Sequence, residues 1–102
     1  MNNLNEEDLQ ILRRLDKKSD LRQRELAKEL GLSLGKLNYC LKSLKDKGLI
    51  KLKNFKNNKK KLNYFYILTP KGMSEKTKLT INFMKRKMQE YDELKKELEK
   101  KE

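Results

Sequence analysis

The sequence predicts a mainly α-helical chain with one small β-hairpin, an α+β class in which strands are the minor part. Three observations carry that expectation. Apolar residues recur at helical spacing in three segments of the first half, two of them closed by a glycine. Between residues 49 and 68, two segments with strand character flank a stretch rich in lysine and asparagine. After Gly72 the chain runs to Glu102 without another proline or glycine, as a long helix requires.

The first helix is expected over residues 5–15. Asn5 suits the N-cap, and Glu6, Glu7 and Asp8 place negative charge where a helix start favours it. Ile11, Leu12 and Leu15 share one face, with Leu9 at its edge and Leu4 able to pack on the same side. Residues 16–20 contain no apolar side chain and read as the exit loop. After a short extended link at Leu21 and Arg22, a second helix from Arg24 to Leu30 turns Leu26, Ala27 and Leu30 inward. Gly31 ends it at a C-cap position. Ser33 caps a third helix from about Leu34 to Lys47, where Leu34, Leu37, Leu41 and Leu44 form the apolar stripe and Gly48 closes the helix.

Leu49 to Lys53 largely alternates apolar and basic residues, the period of a half-buried strand. Asn57 and Asn58 lie between lysines and signal a turn. Leu62 to Leu68, rich in aromatic residues, is the second strand. Thr69-Pro70-Lys71-Gly72 breaks the pattern, and Pro70 suits the first turn of another helix. That last helix, from about Met73 nearly to Glu102, would be about 45 Å long. Ile81, Met84, Met88 and Tyr91 step by 3, 4 and 3 along it, and Leu94 and Leu98 extend that seam with Lys95 between them.

Charge narrows the function. The 102 residues hold 27 Lys and Arg against 15 Asp and Glu, a net +12. Ten of those net charges fall between residues 33 and 72, and residues 51–72 carry seven lysines and no acid. Both ends are nearly balanced, so the charge is a patch that calls for an acidic partner. No apolar run is long enough to span a bilayer, and the acidic N-terminus does not resemble a secretory signal. A chain with no histidine and one cysteine, Cys40, offers neither a cysteine-based metal site nor the commonest general base. Neither enzyme activity, a cofactor, a metal nor a membrane partner is expected.

Helix, helix, turn, helix, hairpin, helix is the winged helix-turn-helix layout, and it accounts for where the charge lies. In such folds the second helix of the motif enters the DNA major groove and the hairpin lies along the backbone or in the minor groove. The small Ala27, the turn Gly31 and the cap Ser33 answer steric and capping needs of the motif. The recognition helix is then about 33–47 and the basic wing 53–61. Opposite the leucine stripe lie Gly35, Lys36, Tyr39, Lys42 and Ser43, with Asn38 and Cys40 at the flanks. Lys36, Tyr39 and Lys42 are candidates for phosphate or base-edge contacts, Ser33 for a phosphate at the helix N-terminus, and Gly35 for close approach to the groove. Arg24, Asn38 and Ser43 complete the candidate surface. In the wing, Lys53, Lys56, Lys59, Lys60 and Lys61 suit backbone contact and steering, and Asn57 and Asn58 are either minor-groove contacts or turn formers alone. Each of these positions has a plainer alternative as a solvated side chain. Tyr64, Phe65 and Tyr66 are assigned to packing rather than base stacking, and Cys40 to structure rather than redox sensing. Ile81, Met84, Met88, Tyr91, Leu94 and Leu98 are assigned to a dimer seam, with folding back onto the chain's own domain left open.

Three stretches, Glu25-Leu26-Ala27 to Gly31-Leu32-Ser33, Gly35-Lys36-Leu37-Asn38-Tyr39-Cys40-Leu41 and Tyr66-Ile67-Leu68-Thr69-Pro70-Lys71-Gly72, resemble the MarR-type winged helix regulators. The nearest likeness is to a small bacterial subgroup associated with exopolysaccharide (MarR EPS), and the segment Phe83 to Met88 also fits it. The resemblance implies a dimeric, cytoplasmic, nucleoid-associated transcription regulator, acting near surface polysaccharide genes. MarR proteins of full length have further terminal helices that build a ligand pocket, so no small-molecule effector is expected here. Residues 1–72 would be the DNA-binding domain and 73–102 the dimerisation element. The expected function is sequence-specific binding of double-stranded DNA by a homodimer. A non-specific nucleic-acid module and a protein-interaction adaptor are the alternatives.

Overall fold

In the computed structural model the chain forms α1 (Glu6–Lys17), α2 (Gln23–Leu30), α3 (Leu34–Asp46), β1 (Ile50–Asn58), β2 (Lys61–Leu68) and α4 (Pro70–Lys100). The structure describes residues 4–17, 22–58 and 61–100, and over 54–64 only the backbone. The predicted class and order of elements hold, with several boundaries moved.

Each of the first three helices is set by local chemistry. At α1 the cap is reciprocal: the Asn5 side chain accepts from the Asp8 N–H at 3.0 Å, and an Asp8 carboxylate oxygen accepts from the Asn5 N–H at 3.0 Å. The helix continues through Asp16 and Lys17, two residues that the sequence pattern assigns to the exit loop. Asp16 gains an ion pair with Lys76 of α4, and Arg14 and Lys17 place positive charge in the last turn, where the helix dipole favours it. Residues 18–20 of that expected loop, and Leu21, lie outside the described residues. α2 begins one residue earlier than expected, after an extended Arg22 whose side chain makes no capping bond.

α2 and α3 end in the same way. Gly31 (φ 68°) and Gly48 (φ 76°) take the left-handed conformation that glycine adopts without strain. Around each, a pair of nested backbone bonds closes the last turn: Leu32 N–H to Ala27 C=O and Gly31 N–H to Lys28 C=O, then Leu49 N–H to Leu44 C=O and Gly48 N–H to Lys45 C=O. At the start of α3, Ser33 accepts from the Lys36 N–H at 3.1 Å, as its sequence position implies.

The core gathers Ile11, Leu12 and Leu15 of α1, Leu26 and Ala27 of α2, Leu37, Cys40, Leu41 and Leu44 of α3, and Leu49 and Ile50. The expected stripe on α3 needs one correction. Leu34 is 38% exposed and Cys40 is buried in its place. Leu34 falls at the first turn of α3, where it lines an open groove with Arg22, Leu52 and Tyr66, whereas Cys40 lies near Asp8 of α1. A 3.6-residue period fixes a face but not where along the helix the neighbouring element ends.

The hairpin is longer than the sequence suggests. β1 and β2 pair antiparallel from Ile50↔Leu68 to Asn58↔Lys61, so Asn57 and Asn58 belong to a strand rather than to the turn. The register shifts between Lys56 and Asn58, leaving Asn57 as the extra residue of a bulge. At the other end of the hairpin, Tyr66 and Leu68 pack on the core.

Thr69-Pro70-Lys71-Gly72 opens α4 instead of preceding it, so the helix starts three residues before its expected position. Thr69 is the N-cap, its Oγ1 accepting from the Gly72 N–H at 3.0 Å and donating to Gly48 C=O at 2.6 Å. The Thr69 N–H donates to Leu49 C=O at 3.0 Å, and the Lys71 ammonium donates to Lys47 C=O at 3.1 Å. Gly72 is buried directly against Leu49, where a Cβ would lie 2.0 Å from the Leu49 carbonyl oxygen. α4 then passes α1, with Leu79 against the core, and its far half extends beyond the globular part, giving a molecule of 68 × 26 × 21 Å.

Gly72→Ala should therefore destabilise the chain by about 3 kcal/mol in urea unfolding, since backbone must move to admit the methyl. Gly35→Ala, which meets nothing within 4 Å, is the matched control. It should be neutral or stabilising by up to about 1 kcal/mol.

Candidate nucleic-acid interface

The outward side of α3 is set by its buried side. At about 100° per residue, the face opposite Leu37, Cys40, Leu41 and Leu44 carries Gly35, Tyr39, Lys42 and Asp46, flanked by Asn38 and Ser43. Tyr39 is 72% exposed, far more than a tyrosine with a packing role. Tyr39, Lys42, Ser43, Asp46 and Lys47 line a shallow groove of about 400 Å³. Gly35 is exposed, with open space where a side chain would stand. Ser33 uses an Oγ lone pair for its cap and keeps its O–H to donate.

Lys36 sits differently from its expected place. It lies at the edge of the face toward α1, and its ammonium is 3.5 Å from Glu7 Oε2. That oxygen is shut off from solvent and has no hydrogen-bond partner among the described residues, so Lys36 supplies its compensating charge. Cys40 belongs to the same cluster. Burial pushes its thiol up from the ordinary value, the Asp8 carboxylate adds to the rise, Lys36 opposes it and Glu7 adds to it again. This is the environment of an unreactive structural cysteine.

A second groove, of about 750 Å³, lies between the start of α2, the start of α3 and the root of the hairpin. Arg22, Gln23, Arg24 and Glu25 line one side, and Leu34, Leu52 and Tyr66 the other. It brings Arg24 beside Arg22 at a helix N-terminus where the Arg22 side chain makes no capping bond. Arg22 is not among the site residues expected from the sequence. Its position just before α2 is the available signal, and by pattern alone it reads only as a link.

Lys53 is exposed on β1. For Lys56, Asn57, Asn58 and Lys61 the structure gives the strand positions alone, and Lys59 and Lys60 lie outside the described residues, as does the side chain of Tyr64. Phe65 and Tyr66 are half-buried, consistent with packing. Along α4, Ile81, Met84, Met88, Tyr91, Leu94 and Leu98 are between 47% and 69% exposed, an apolar stripe on a helix that does not turn back on the head. No helix among the described residues is long and apolar enough to cross a membrane.

Three helices, a two-stranded wing and a helix clamped to the wing's base define the architecture. The chain has a winged helix fold. Residues 4–51 match the family model described as winged helix-turn-helix DNA-binding. Among solved structures, the zinc-responsive MarR family member ZitR of Lactococcus lactis aligns with a TM-score of 0.67 at 22% identity, over 91% of this chain and 62% of that one. ZitR in complex with DNA gives 0.65 at 22% identity, over 91% and 61%. FabT of Streptococcus pneumoniae, also in complex with DNA, gives 0.64 at 22% identity, over 86% and 59%. The chain thus spans about three fifths of the length of these structures. No curated protein matches it significantly.

The Cys40 environment gives a test that needs no DNA. Because the folded thiol holds its proton to higher pH than the unfolded one, unfolding releases protons at alkaline pH and stability falls as pH rises through that range. A thiol reagent at neutral pH should label Cys40 only as fast as the chain unfolds. Rapid labelling of the folded chain would refute the structural assignment.

Proposed function

We propose that the chain is a transcription regulator that binds specific double-stranded DNA as a homodimer, with α3 in the major groove and the wing on the backbone or in the minor groove. The observation that carries this reading is the outer face of α3. It presents an exposed tyrosine, a lysine, hydroxyls and a side-chain-free glycine on a helix whose other side is fully committed to the core. The basic wing follows α3 in the chain, and ZitR and FabT have each been solved in complex with DNA.

Each role rests on side-chain chemistry. Tyr39, Asn38 and Lys42 face base edges, and Gly35 lets the backbone approach them. Ser33, Ser43, Arg24 and Arg22 contact phosphates. Lys53, Lys56, Lys59, Lys60 and Lys61 add sequence-independent affinity, with Asn57 and Asn58 beside them at the wing tip. Lys36, at the edge of that face beside Glu7, contacts a phosphate or a base edge. The stripe from Ile81 to Leu98 pairs two chains, and the resemblance to exopolysaccharide-associated regulators extends the reading to surface polysaccharide genes in a bacterial cytoplasm. Zinc response is a property of ZitR. A chain with no histidine and a single buried cysteine has no nitrogen and sulfur ligand set for that ion.

Fluorescence anisotropy on duplex DNA tests the proposal. Log affinity should fall linearly with log salt, with a slope reflecting roughly 6–10 phosphate contacts per dimer. Charge reversal at Lys59, Lys60 and Lys61 should weaken binding to all sequences alike, whereas Tyr39→Ala should change which sequence is preferred by about 1–3 kcal/mol. Equal affinity for random duplex and single strands would instead indicate a non-specific module, and no binding at low salt would end the DNA reading.

A further inference from the structure

The exposed stripe of α4 carries charges that specify how two copies meet. With Ile81, Met84, Met88 and Tyr91 at alternating a and d positions of a heptad, Lys95 and Leu98 take the next a and d. The flanking e column then reads Lys78, Lys85, Asp92, Glu99, two cations followed by two anions. In an antiparallel homodimer e residues face e residues, offset by two positions from the a–d layers, and the register that inverts the seam about a point between Gln89 and Glu90 sets each cation against an anion. Lys85 meets the partner's Asp92 and Lys78 meets the partner's Glu99, each twice by symmetry.

The core layers agree with this register. Met88 packs on the partner's Tyr91, and Ile81 on the partner's Leu98. Lys95 lies against the partner's Met84, where its aliphatic stem covers the thioether and its ammonium reaches water. In a parallel pair in register, Lys95 would instead stack on its own copy in the seam, an unfavourable contact of like charges, and only Lys87 would find an acid, the partner's Asp92. The stripe is exposed on a helix whose opposite side, at Leu79, is already committed to the core. A second copy can therefore dock without displacing the head. We infer that α4 pairs with a second copy of this chain as an antiparallel two-stranded coil over residues 81–98, centred between Gln89 and Glu90. The inference rests on the homodimer reading above and specifies its orientation and register.

Disulfide trapping on the full chain tests it, with the unsubstituted chain as control because Cys40 is buried. Met84→Cys and Lys95→Cys chains, when mixed and oxidised, should join to each other. Met84→Cys alone should not form a dimer, since two copies of residue 84 would be about 16 Å apart, beyond the roughly 7 Å a disulfide spans. Sedimentation should show Lys85→Glu and Asp92→Lys each weakening the dimer roughly tenfold, and the two together restoring it, because the swap preserves every pair. Self-linking of Met84→Cys, or no rescue by the charge swap, would overturn the antiparallel register while leaving the dimer intact. A monomer at all concentrations would overturn both. Both measurements are made without DNA, so neither failure bears on DNA binding by the head.

Discussion

The contact between Gly72 and the Leu49 carbonyl is the constraint on which the rest of the structure depends. It lets the first turn of α4 sit directly on the backbone that leaves α3, an approach any side chain would prevent. The surrounding bonds then tie three elements at one point. Thr69 joins the end of α3 to the start of α4 through its hydroxyl and to Leu49 through its N–H, while Lys71 reaches the Lys47 carbonyl. Because β1 begins at Ile50 and β2 ends at Leu68, paired with each other, the same junction closes the base of the wing. The angle between α3, the wing and the long helix is thus set at this junction, by the Gly72 contact and the Thr69 and Lys71 bonds to the end of α3.

The elements legible in the sequence are those governed by local chemistry. Asn5, Ser33, Gly31 and Gly48 each act through neighbours within a few residues, and the structure shows them in those roles. What is not legible depends on distant partners. Gly72 has the look of an ordinary helix breaker because the carbonyl it must approach is 23 residues away in the chain. Leu34 carries the right period but faces an open groove at the start of α3. Lys36 sits near the outer face by helical angle yet answers a carboxylate on α1. Asn57 and Asn58 have turn chemistry, but pairing with β2 continues through Asn58 and absorbs Asn57 as a bulge. In each case the local preference is real and a tertiary contact decides the outcome.

The small apolar content is divided between two tasks. The head uses short leucine-rich helices with Leu49 and Ile50 at the base of the wing to bury one compact cluster. α4 contributes Leu79 to it and then carries an equally apolar stripe away from it, onto a part of the helix that no other part of the described chain covers. Helices polar on all sides need no partner, whereas a stripe of this length on an exposed helix is satisfied by another surface.

Electrostatics bears on which arrangement of two copies is tolerable. Each head carries most of the net +12 on its α3 and wing, so two heads brought close together repel. In the antiparallel coil the levels at which Leu79 joins each head are about 32 Å apart along the helix axis, some three Debye lengths at roughly 0.1 M salt. Repulsion between the patches is then largely screened. That spacing is also close to the roughly 34–36 Å between successive major grooves on one side of DNA. A parallel coil would place both heads at the same end, with the basic patches adjacent and Lys95 stacked on its own copy in the seam. In the proposed pair, the order of charges along α4, basic before acidic, would select the orientation, and that orientation would hold the two basic surfaces apart.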